Sequence, residues 1–177
     1  MEAHVTEELE RIVTHHPNGR IRDLGAKLHG RREGLWCSWY VDGTKKLEVD
    51  YRAGQRQGWY TRYHENGQIL EQGQFVHGVK HGPWTTWNES GVRLSENHFV
   101  EGELNGPWFD WYESGRPRSE GEWLHGRQHR QYVAWWDNGE KAVEGEYSHG
   151  QPVGTWAWFD RRGREIRSEE YGSLDWA

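Results

Sequence analysis

The stretch GPWTTWNESG at residues 82–91 determines the fold, because its pattern returns every 24 residues along the chain. We number its first residue position 0; the copies begin at Gly34, Gly58, Gly82, Gly106, Arg130 and Gly154. Rings follow at positions 2, 5 and 17 of every copy, and glycine occupies position 9 of every copy and position 20 of five. A fixed period of this kind is the signature of a repeat protein whose units pack only against their neighbours.

The turn residues predict how each unit folds. Asn-Gly or Asp-Gly at positions 8–9, as in Asp42-Gly43, predicts a two-residue hairpin turn in which both residues take positive φ. Two strands of roughly eight residues then fill the period, and the glycine at position 20 leads into the next unit. We therefore expect an all-β fold, an elongated single-sheet antiparallel meander of about six 24-residue β-hairpin repeats.

The turn also predicts which side chains meet. Position 0 should lie opposite position 17, position 2 opposite 15, and position 5 opposite 12. Because side chains alternate along a strand, positions 2 and 17 share a first face and position 5 lies on a second face. We expect the ring at position 17 to cover the bare glycine at position 0. Rings at position 2 of successive units should lie about 10 Å apart, too far to touch.

The ends depart from the pattern. Val5, Leu9, Ile12 and Val13 recur at helical spacing, which predicts a short N-terminal helical cap. The C-terminal residues are expected to fold back, so that both extensions blunt the exposed sheet edges. We divide the chain into a helical cap, a partial capping repeat, six repeats and a C-terminal tail: residues 1–15, 16–33, 34–171 and 172–177.

Composition excludes several classes of protein. Only 33% of the 177 residues are apolar, yet 13 are Trp, so the core should be thin and built from rings. No run approaches the roughly 20 apolar residues of a membrane span. The net charge of −6 argues against direct nucleic-acid binding. The single cysteine, Cys37, permits no internal disulfide, and the acidic N-terminus predicts a cytoplasmic protein.

Residues 82–91, together with EGEWLHG at 120–126, resemble MORN-variant repeats. Over about residues 16–171 the chain is similar to antitoxins of the YwqK type. The resemblance implies a cytoplasmic, non-enzymatic binding protein, one that neutralises a toxin. Ordinary MORN repeats are linked to scaffolding, membrane association and dimerisation. The resemblance carries over no catalytic residue, because the shared residues are the glycines and rings that determine the fold.

The second face carries the candidate binding site. Its position-5 rings should run beside a column of carboxylates at positions 14 and 16. Such a surface suits a basic partner protein, because rings supply contact area and carboxylates supply steering. The candidate residues are Trp39, Tyr63, Trp87, Trp111, Trp135, Phe159, Glu96, Glu120, Glu122, Glu144 and Glu146. In the alternative interpretation, the rings are the sheet's own thin core, next to Leu70, Leu94, Ala142 and Ile166 at position 12, and the acids are its solvated margin.

Metal binding and catalysis have little support in the sequence. Histidines recur at positions 19 and 23, as in His77 with His81 and His125 with His129. Zinc needs three or four ligands at about 2 Å, whereas equivalent loops should lie about 10 Å apart. We therefore predict polar turn residues, no metal and no cofactor. No nucleophile elbow or phosphate loop occurs, so we expect no enzymatic activity, and Cys37 is predicted to be a packed residue.

Two other functions remain open at this level. Carbohydrate recognition is one, because Trp-rich repeats that bind choline and glucans also place rings beside glycine-rich turns. A self-associating or membrane-associated scaffold is the other. The partner, the oligomeric state and the face that is used do not follow from the sequence.

Overall fold

The computed structural model describes residues 8–172, and in this range the chain forms strands and no helix. The strands are β1 (Glu10–His15), β2 (Ile21–Leu28), β3 (Arg31–Trp39), β4 (Lys45–Arg52), β5 (Gln55–Tyr63), β6 (Ile69–Val76), β7 (Val79–Trp87), β8 (Arg93–Val100), β9 (Glu103–Trp111), β10 (Pro117–Leu124), β11 (Arg127–Trp135), β12 (Lys141–Ser148), β13 (Gln151–Phe159) and β14 (Glu165–Tyr171). They follow chain order in one antiparallel sheet, which confirms the predicted meander of hairpin repeats. The described residues accordingly offer no helix that could cross a membrane.

The chain divides into two compact units, Met1–Lys80 and His81–Ala177. The described part of the first unit contains β1 to β6 and the first two residues of β7. The described part of the second contains the rest of β7 and β8 to β14. Within each unit every strand pairs with its sequence neighbours, as a meander requires.

The predicted N-terminal helix is wrong for residues 10–15, which form strand β1. This strand pairs with β2 from Glu10 opposite Lys27 to Thr14 opposite Asp23. The run Ile12-Val13-Thr14 is β-branched, and such residues favour a pleated strand over a helix. The rest of the predicted cap, residues 1–7, and the tail residues 173–177 lie outside the described residues.

The loops at positions 7–9 have three residues, not the predicted two. In the second hairpin the Gly43 amide donates to the Tyr40 carbonyl and the Tyr40 amide to the Thr44 carbonyl. Of the loop residues only the glycine has positive φ, which defines a type I turn followed by a left-handed residue. The Asp42 carboxylate accepts the Thr44 amide at 2.8 Å, a side-chain turn that holds Asp42 at negative φ.

The two-residue turns with two positive φ values lie instead at positions 19–20. Ala53-Gly54 has φ of 50° and 87°, and His77-Gly78 has 51° and 85°. These values define the type I′ turn that matches the twist of adjacent strands. Histidine fills the first place four times because it is among the non-glycine residues that tolerate left-handed backbone.

A bulge follows from the longer loop. Position 0 pairs with 17 and position 2 with 15, as predicted, for example Gly34 with Tyr51 and Trp36 with Val49. Position 5, however, pairs with position 11 and not with 12, as Trp39 does with Lys45. The extra loop residue displaces the pairing by one, so the residue at position 12 has no partner across the hairpin.

Glycine at position 0 has a different role from the predicted one. Gly34, Gly82 and Gly154 have φ of 61–69°, and a Cβ placed on them would meet nothing within 4 Å. No ring covers them; they supply left-handed backbone inside the strand, and at Gly34 and Gly154 the pairing with the preceding strand is interrupted. The glycine covered by a ring is the one at position 15: a Cβ on Gly25 would lie 2.3 Å from the Trp36 ring, and one on Gly145 2.1 Å from the Trp156 ring.

The core lies on the first face. Within each hairpin the position-2 ring meets the position-17 ring, for example Trp36 and Tyr51 at 6.3 Å, edge to face. Trp36, Trp84, Trp108 and Trp156 are all at least nine-tenths buried. The sequence therefore predicted the pairing of these rings correctly, although it assigned the wrong glycine to them.

Successive position-2 rings do touch in the second unit, contrary to expectation. Trp108 lies 6.0 Å from Tyr132, and Tyr132 lies 5.8 Å from Trp156. Trp108 leans forward over Gly121 and Trp156 leans back over Gly145, which brings both toward Tyr132. The glycines at position 15 make this possible, because a ring can lie flat on a strand that has no side chain there.

Candidate protein-binding face

The position-5 rings lie on the second face, opposite the ring core. Tyr63 donates its hydroxyl to Glu48 at 2.6 Å, and Glu48 pairs with Cys37 at position 3. Trp111 lies 6.0 Å from Phe109, which is also at position 3. Trp36 at position 2 lies on the other face, against Tyr51. The predicted assignment of positions 2 and 5 to opposite faces is confirmed.

All six position-5 rings are half-buried. Arg93 stacks over Trp111 at 5.1 Å, and Lys141 stacks over Phe159 at 5.7 Å. Both cations are at position 11, the residue that the bulge places opposite the position-5 ring of its own hairpin. Each reaches the ring of the following hairpin, so cation–π contacts connect neighbouring repeats.

The apolar residues expected beside the rings, at position 12, are not their cross-strand neighbours. Elsewhere at position 12, Arg118 reaches Asp110 at 3.0 Å, and Lys46 lies over the Tyr40 ring at 5.3 Å. The residue opposite the position-5 ring is the one at position 11, whereas a two-residue turn would have put position 12 there. Sequence reasoning missed the position-11 cations because it took the turn to be one residue shorter.

Several carboxylates of the predicted column have partners within the chain. Glu144 accepts from Lys141 at 2.6 Å, and Glu96 lies 3.4 Å from Arg93. Glu122 pairs with Arg130 at 3.1 Å. The column therefore carries less net charge than the sequence alone indicates.

Tyr63, Glu48 and Lys45 form a hydrogen-bonded group in the first unit. Lys45 donates to Glu48 at 2.7 Å, and this bond, with that from Tyr63, lowers the pKa of Glu48 below its ordinary value of 4.5. Burial, reinforced by the bond to Glu48, raises the pKa of Tyr63 to about 12. The ring is thus held in place through its hydroxyl and remains neutral near pH 7.

Glu120 and Glu146 have no side-chain partner among residues 8–172. Each lines a depression of the second face in the second unit. The larger depression, of about 720 Å³, lies between β11, β12 and β13 and includes Glu144, Glu146 and Thr155. The smaller, of about 310 Å³, lies between β9, β10 and β11 and includes Glu120 and Glu122. Arg130 lines both depressions.

Position 1 adds two residues that sequence reasoning missed. Trp59 is 55% exposed and Leu35 is 52% exposed, both in the first unit. Position 1 has the parity of positions 3 and 5, so these side chains lie on the second face. Strand alternation alone could have identified them, but the sequence prediction took as apolar anchors only the rings that recur in every repeat.

The histidines form no metal site in the described residues: no three His, Cys, Asp or Glu side chains there are placed to hold an ion. His129 and His149 do approach, with ring centroids 5.2 Å apart, closer than the loop spacing predicted. Burial, followed by the charge of Glu48, raises the pKa of the Cys37 thiol. A raised pKa disfavours the thiolate, which is consistent with a packed residue.

Comparison with known families identifies one hairpin. A family described as MORN repeat variant matches residues 56–77, which run from β5 through its loop to the end of β6. No curated protein matches the chain. The match supports the MORN-repeat part of the resemblance, and MORN repeats are generally protein- or membrane-interaction modules.

Proposed function

We propose that the protein is a non-enzymatic binding module of antitoxin or immunity type, which holds a basic partner protein against its second face. The observation that supports this most is the make-up of that face: half-buried rings beside carboxylates, with Trp59 and Leu35 exposed. Aromatic anchors surrounded by charge are typical of interface hot spots. The acidic net charge would speed the approach of a basic partner.

The ring contacts favour a protein partner over a sugar. A sugar stacks on an open ring face, but a cation lies over Trp111 and another over Phe159. Tyr63 directs its hydroxyl to Glu48 and offers no free donor. The binding energy of this face would come from its exposed apolar side chains and its uncompensated carboxylates.

The test is affinity capture from cells of the source organism, with every bound protein identified by mass spectrometry. The decisive variant reverses Glu96, Glu120 and Glu144 to Lys. We expect it to lose a basic partner that the unmodified protein retains, with affinity reduced at least about tenfold, since several charge pairs change sign.

The matched control reverses Glu10, Glu65 and Glu113 to Lys, three exposed residues away from the carboxylate column. It changes the net charge by the same amount and should keep the partner. If the column variant binds every partner as well as the control does, the second face is not the binding surface. Co-expression of the captured partner, with and without the protein, then tests neutralisation directly.

A further inference from the structure

Two hairpin turns of the first unit place cations on the first face. Positions 17 and 22 pair directly across these turns; between β2 and β3 they hold Lys27 and Arg32, and between β4 and β5 they hold Tyr51 and Arg56. The three turns of the second unit carry no charge at these places, where Phe99 pairs with Leu104, Trp123 with Gln128 and Tyr147 with Pro152. The fold therefore does not require cations there, and the direct pairing of Lys27 with Arg32 weakens the sheet.

Rings of the core hold the two arginines in place. The guanidinium carbon of Arg32 lies 4.5 Å from the centre of the Trp36 ring and 5.1 Å from that of Tyr51, and Arg32 donates to the Tyr51 hydroxyl at 2.8 Å. The guanidinium carbon of Arg56 lies 5.0 Å from the centre of the Phe75 ring. Because Arg56 is also directly opposite Tyr51, the two arginines flank that ring. Stacking fixes the planes of both guanidinium groups, which lowers the side-chain entropy lost when a ligand binds.

We call Lys27, Arg32 and Arg56 together the basic strip. None of the three forms an ion pair with a carboxylate among residues 8–172. Glu10 lies opposite Lys27 across β1 and β2 without an ion pair between them, and Glu33 accepts a backbone amide of the next turn at 2.7 Å. Both arginines are exposed. Within the described chain Arg32 thus keeps four of its five N–H donors, and Arg56 all five, for a ligand.

The chemistry of the strip favours an acidic peptide over other anions. A stacked guanidinium with free N–H groups in one plane is suited to two-point binding of an oxyanion such as a carboxylate. The rings beneath the strip are covered by the arginines, so they offer no face on which a nucleic-acid base could stack. The net charge of −6 opposes the approach of a long polyanion or an anionic membrane, whose charge extends beyond three side chains.

We propose that the basic strip binds an acidic segment of a partner protein, whose Asp and Glu carboxylates pair with Arg32, Arg56 and Lys27. The strip lies on the first face, opposite the surface of the proposed function, and takes a segment of the opposite charge. It belongs to the first unit, where 12 Lys and Arg exceed 11 Asp and Glu, whereas the second unit has 10 against 17. An acidic segment is therefore steered to the first unit and away from the second.

Fluorescein-labelled peptides test the charge requirement. One peptide carries four Glu residues among glycines and serines, and its control carries Gln in the same four places. Binding to the full-length protein is followed by fluorescence anisotropy at low salt. We expect the Glu peptide to bind about tenfold more tightly or better, and rising salt to remove the difference. Equal binding of the two peptides would overturn the inference.

The variant Arg32→Gln with Arg56→Gln should weaken binding of the Glu peptide about tenfold, the effect of two exposed ion pairs. Arg31→Gln with Arg52→Gln is the matched control. These two exposed residues give the same change of charge at the same two turns, but their neighbours in the strands alternate with them, so they lie on the second face. The control should change the affinity less than about twofold. An equal loss in both variants would mean that the charge of the whole edge acts, and not the strip.

Two further variants separate binding from ring packing. Lys27→Gln alters no ring contact and should still weaken binding, by about threefold. Arg32→Lys with Arg56→Lys keeps the charge and loses the planar fork, so its affinity should fall between those of the unmodified protein and the Gln pair. Unchanged binding in either variant would contradict the strip as described. Urea denaturation of each variant confirms that the sheet remains folded.

Unlabelled single-stranded DNA and phosphatidylserine vesicles serve as competitors of the labelled Glu peptide. If either displaces it at a lower concentration of charge than the unlabelled Glu peptide does, the choice of a protein partner is wrong. Concentration-dependent self-association that Arg32→Gln with Arg56→Gln abolishes would instead assign the strip to a second copy of the chain. The outcome is independent of the proposed function, because this variant leaves the carboxylates of the second face unchanged and should still capture the basic partner.

Discussion

Backbone conformation at single residues explains much of the glycine pattern. Position 0 takes left-handed φ in every repeat from Gly34 to Gly154, and Arg130 does so as well, at 62°. An L-residue there costs roughly 1–2 kcal/mol relative to right-handed backbone, a cost that glycine avoids. Arg130 therefore holds a strained conformation where the other repeats do not.

Arg130→Gly should stabilise the protein by about 1 kcal/mol, because the relief of the left-handed strain exceeds the loss of an exposed ion pair with Glu122. The measurement is the urea midpoint at neutral pH. Gly154→Ala, at the same place with φ of 61° and open space around it, should destabilise by a similar amount. Arg130→Ala removes the side chain but keeps the strain, so equal stability of the Ala and Gly variants at residue 130 would contradict the explanation.

Glu48 should make stability depend on pH in a defined direction. Its pKa is lowered below 4.5 by its bonds to Lys45 and Tyr63, so its contribution is fully present above that value. The contribution is lost as pH falls through the lowered pKa, where the carboxylate takes up a proton. Glu48→Gln should thus lower the free energy of unfolding by about 0.5–1 kcal/mol at pH 7 and by almost nothing once the pH is below the lowered pKa of Glu48.

Urea titrations of the unmodified protein and of Glu48→Gln at pH 7 and pH 3 check this expectation. Tyr63→Phe is the companion variant, because it removes one bond and leaves Lys45 paired with Glu48. Its cost at pH 7 should be smaller than that of Glu48→Gln. A difference for Glu48→Gln that is the same at both pH values would show that the charge of Glu48 is irrelevant.

At the scale of the hairpin, the sequence predicted the strands but placed the two-residue left-handed turn at positions 8–9, whereas the structure has it at positions 19–20. Asn-Gly at positions 8–9 fits a two-residue turn and also the end of a three-residue loop. The choice depends on the Asp or Asn side chain, which accepts the amide two residues on, as Asn66 does from Gln68. At positions 19–20 the left-handed pair begins with His, Ala or Glu, whose preference for that backbone is too weak to read from one sequence.

The turn error explains which parts of the candidate site were predicted and which were not. Face assignments follow from alternation along a strand, so Trp39 and Tyr63 were placed correctly. The cross-strand neighbours of these rings depend on the strand register near the loop. Because the loop has one extra residue, the neighbour of the position-5 ring is at position 11 and not at position 12. The cations Lys45, Arg93 and Lys141 were missed for this reason. The depressions of the second face beside Gly121 and Gly145 have no local sequence signal.

Consecutive loops are joined by side chains at position 6. Tyr40 donates its hydroxyl to the Tyr63 carbonyl at 2.8 Å, and Tyr112 donates to the Trp135 carbonyl at 2.7 Å. Trp136 donates its indole N–H to the Phe159 carbonyl at 3.0 Å. The acceptor is always position 5 of the next repeat, so these bonds hold the backbone beneath the second-face rings.

Tyr112→Phe removes one such bond and should cost about 1 kcal/mol of unfolding free energy, the usual contribution of a single hydrogen bond. Tyr147→Phe is the matched control. Its ring packs against Trp156 at 4.8 Å, but its hydroxyl has no hydrogen-bond partner among the described residues. Chemical denaturation of both variants should show a loss for the first only; equal losses would mean that the inter-repeat bond contributes nothing.

On the scale of the whole chain, the strand order of the described residues ends at β14, and this strand differs from those inside the sheet. Position 15 is Glu169, where other repeats have glycine, Val49 or Asn97. An added strand would place its position-2 ring against this residue, as Tyr60 lies opposite Val49. Arg167 pairs with Glu169 and lies over the Trp158 ring at 4.6 Å. A charged pair at this point opposes the addition of another strand to the edge of the sheet.

Glu169→Val should therefore promote self-association, because valine at position 15 is compatible with a neighbouring strand, as Val49 shows by being 2% exposed between β3 and β5. Sedimentation velocity over a range of concentrations should show oligomers for this variant and less association for the unmodified protein. Glu113→Val makes the same change of charge and hydrophobicity in a loop and should behave like the unmodified protein. If Glu169→Val associates no more than Glu113→Val, the carboxylate is not what limits growth of the sheet, and the cause must lie in residues outside β14.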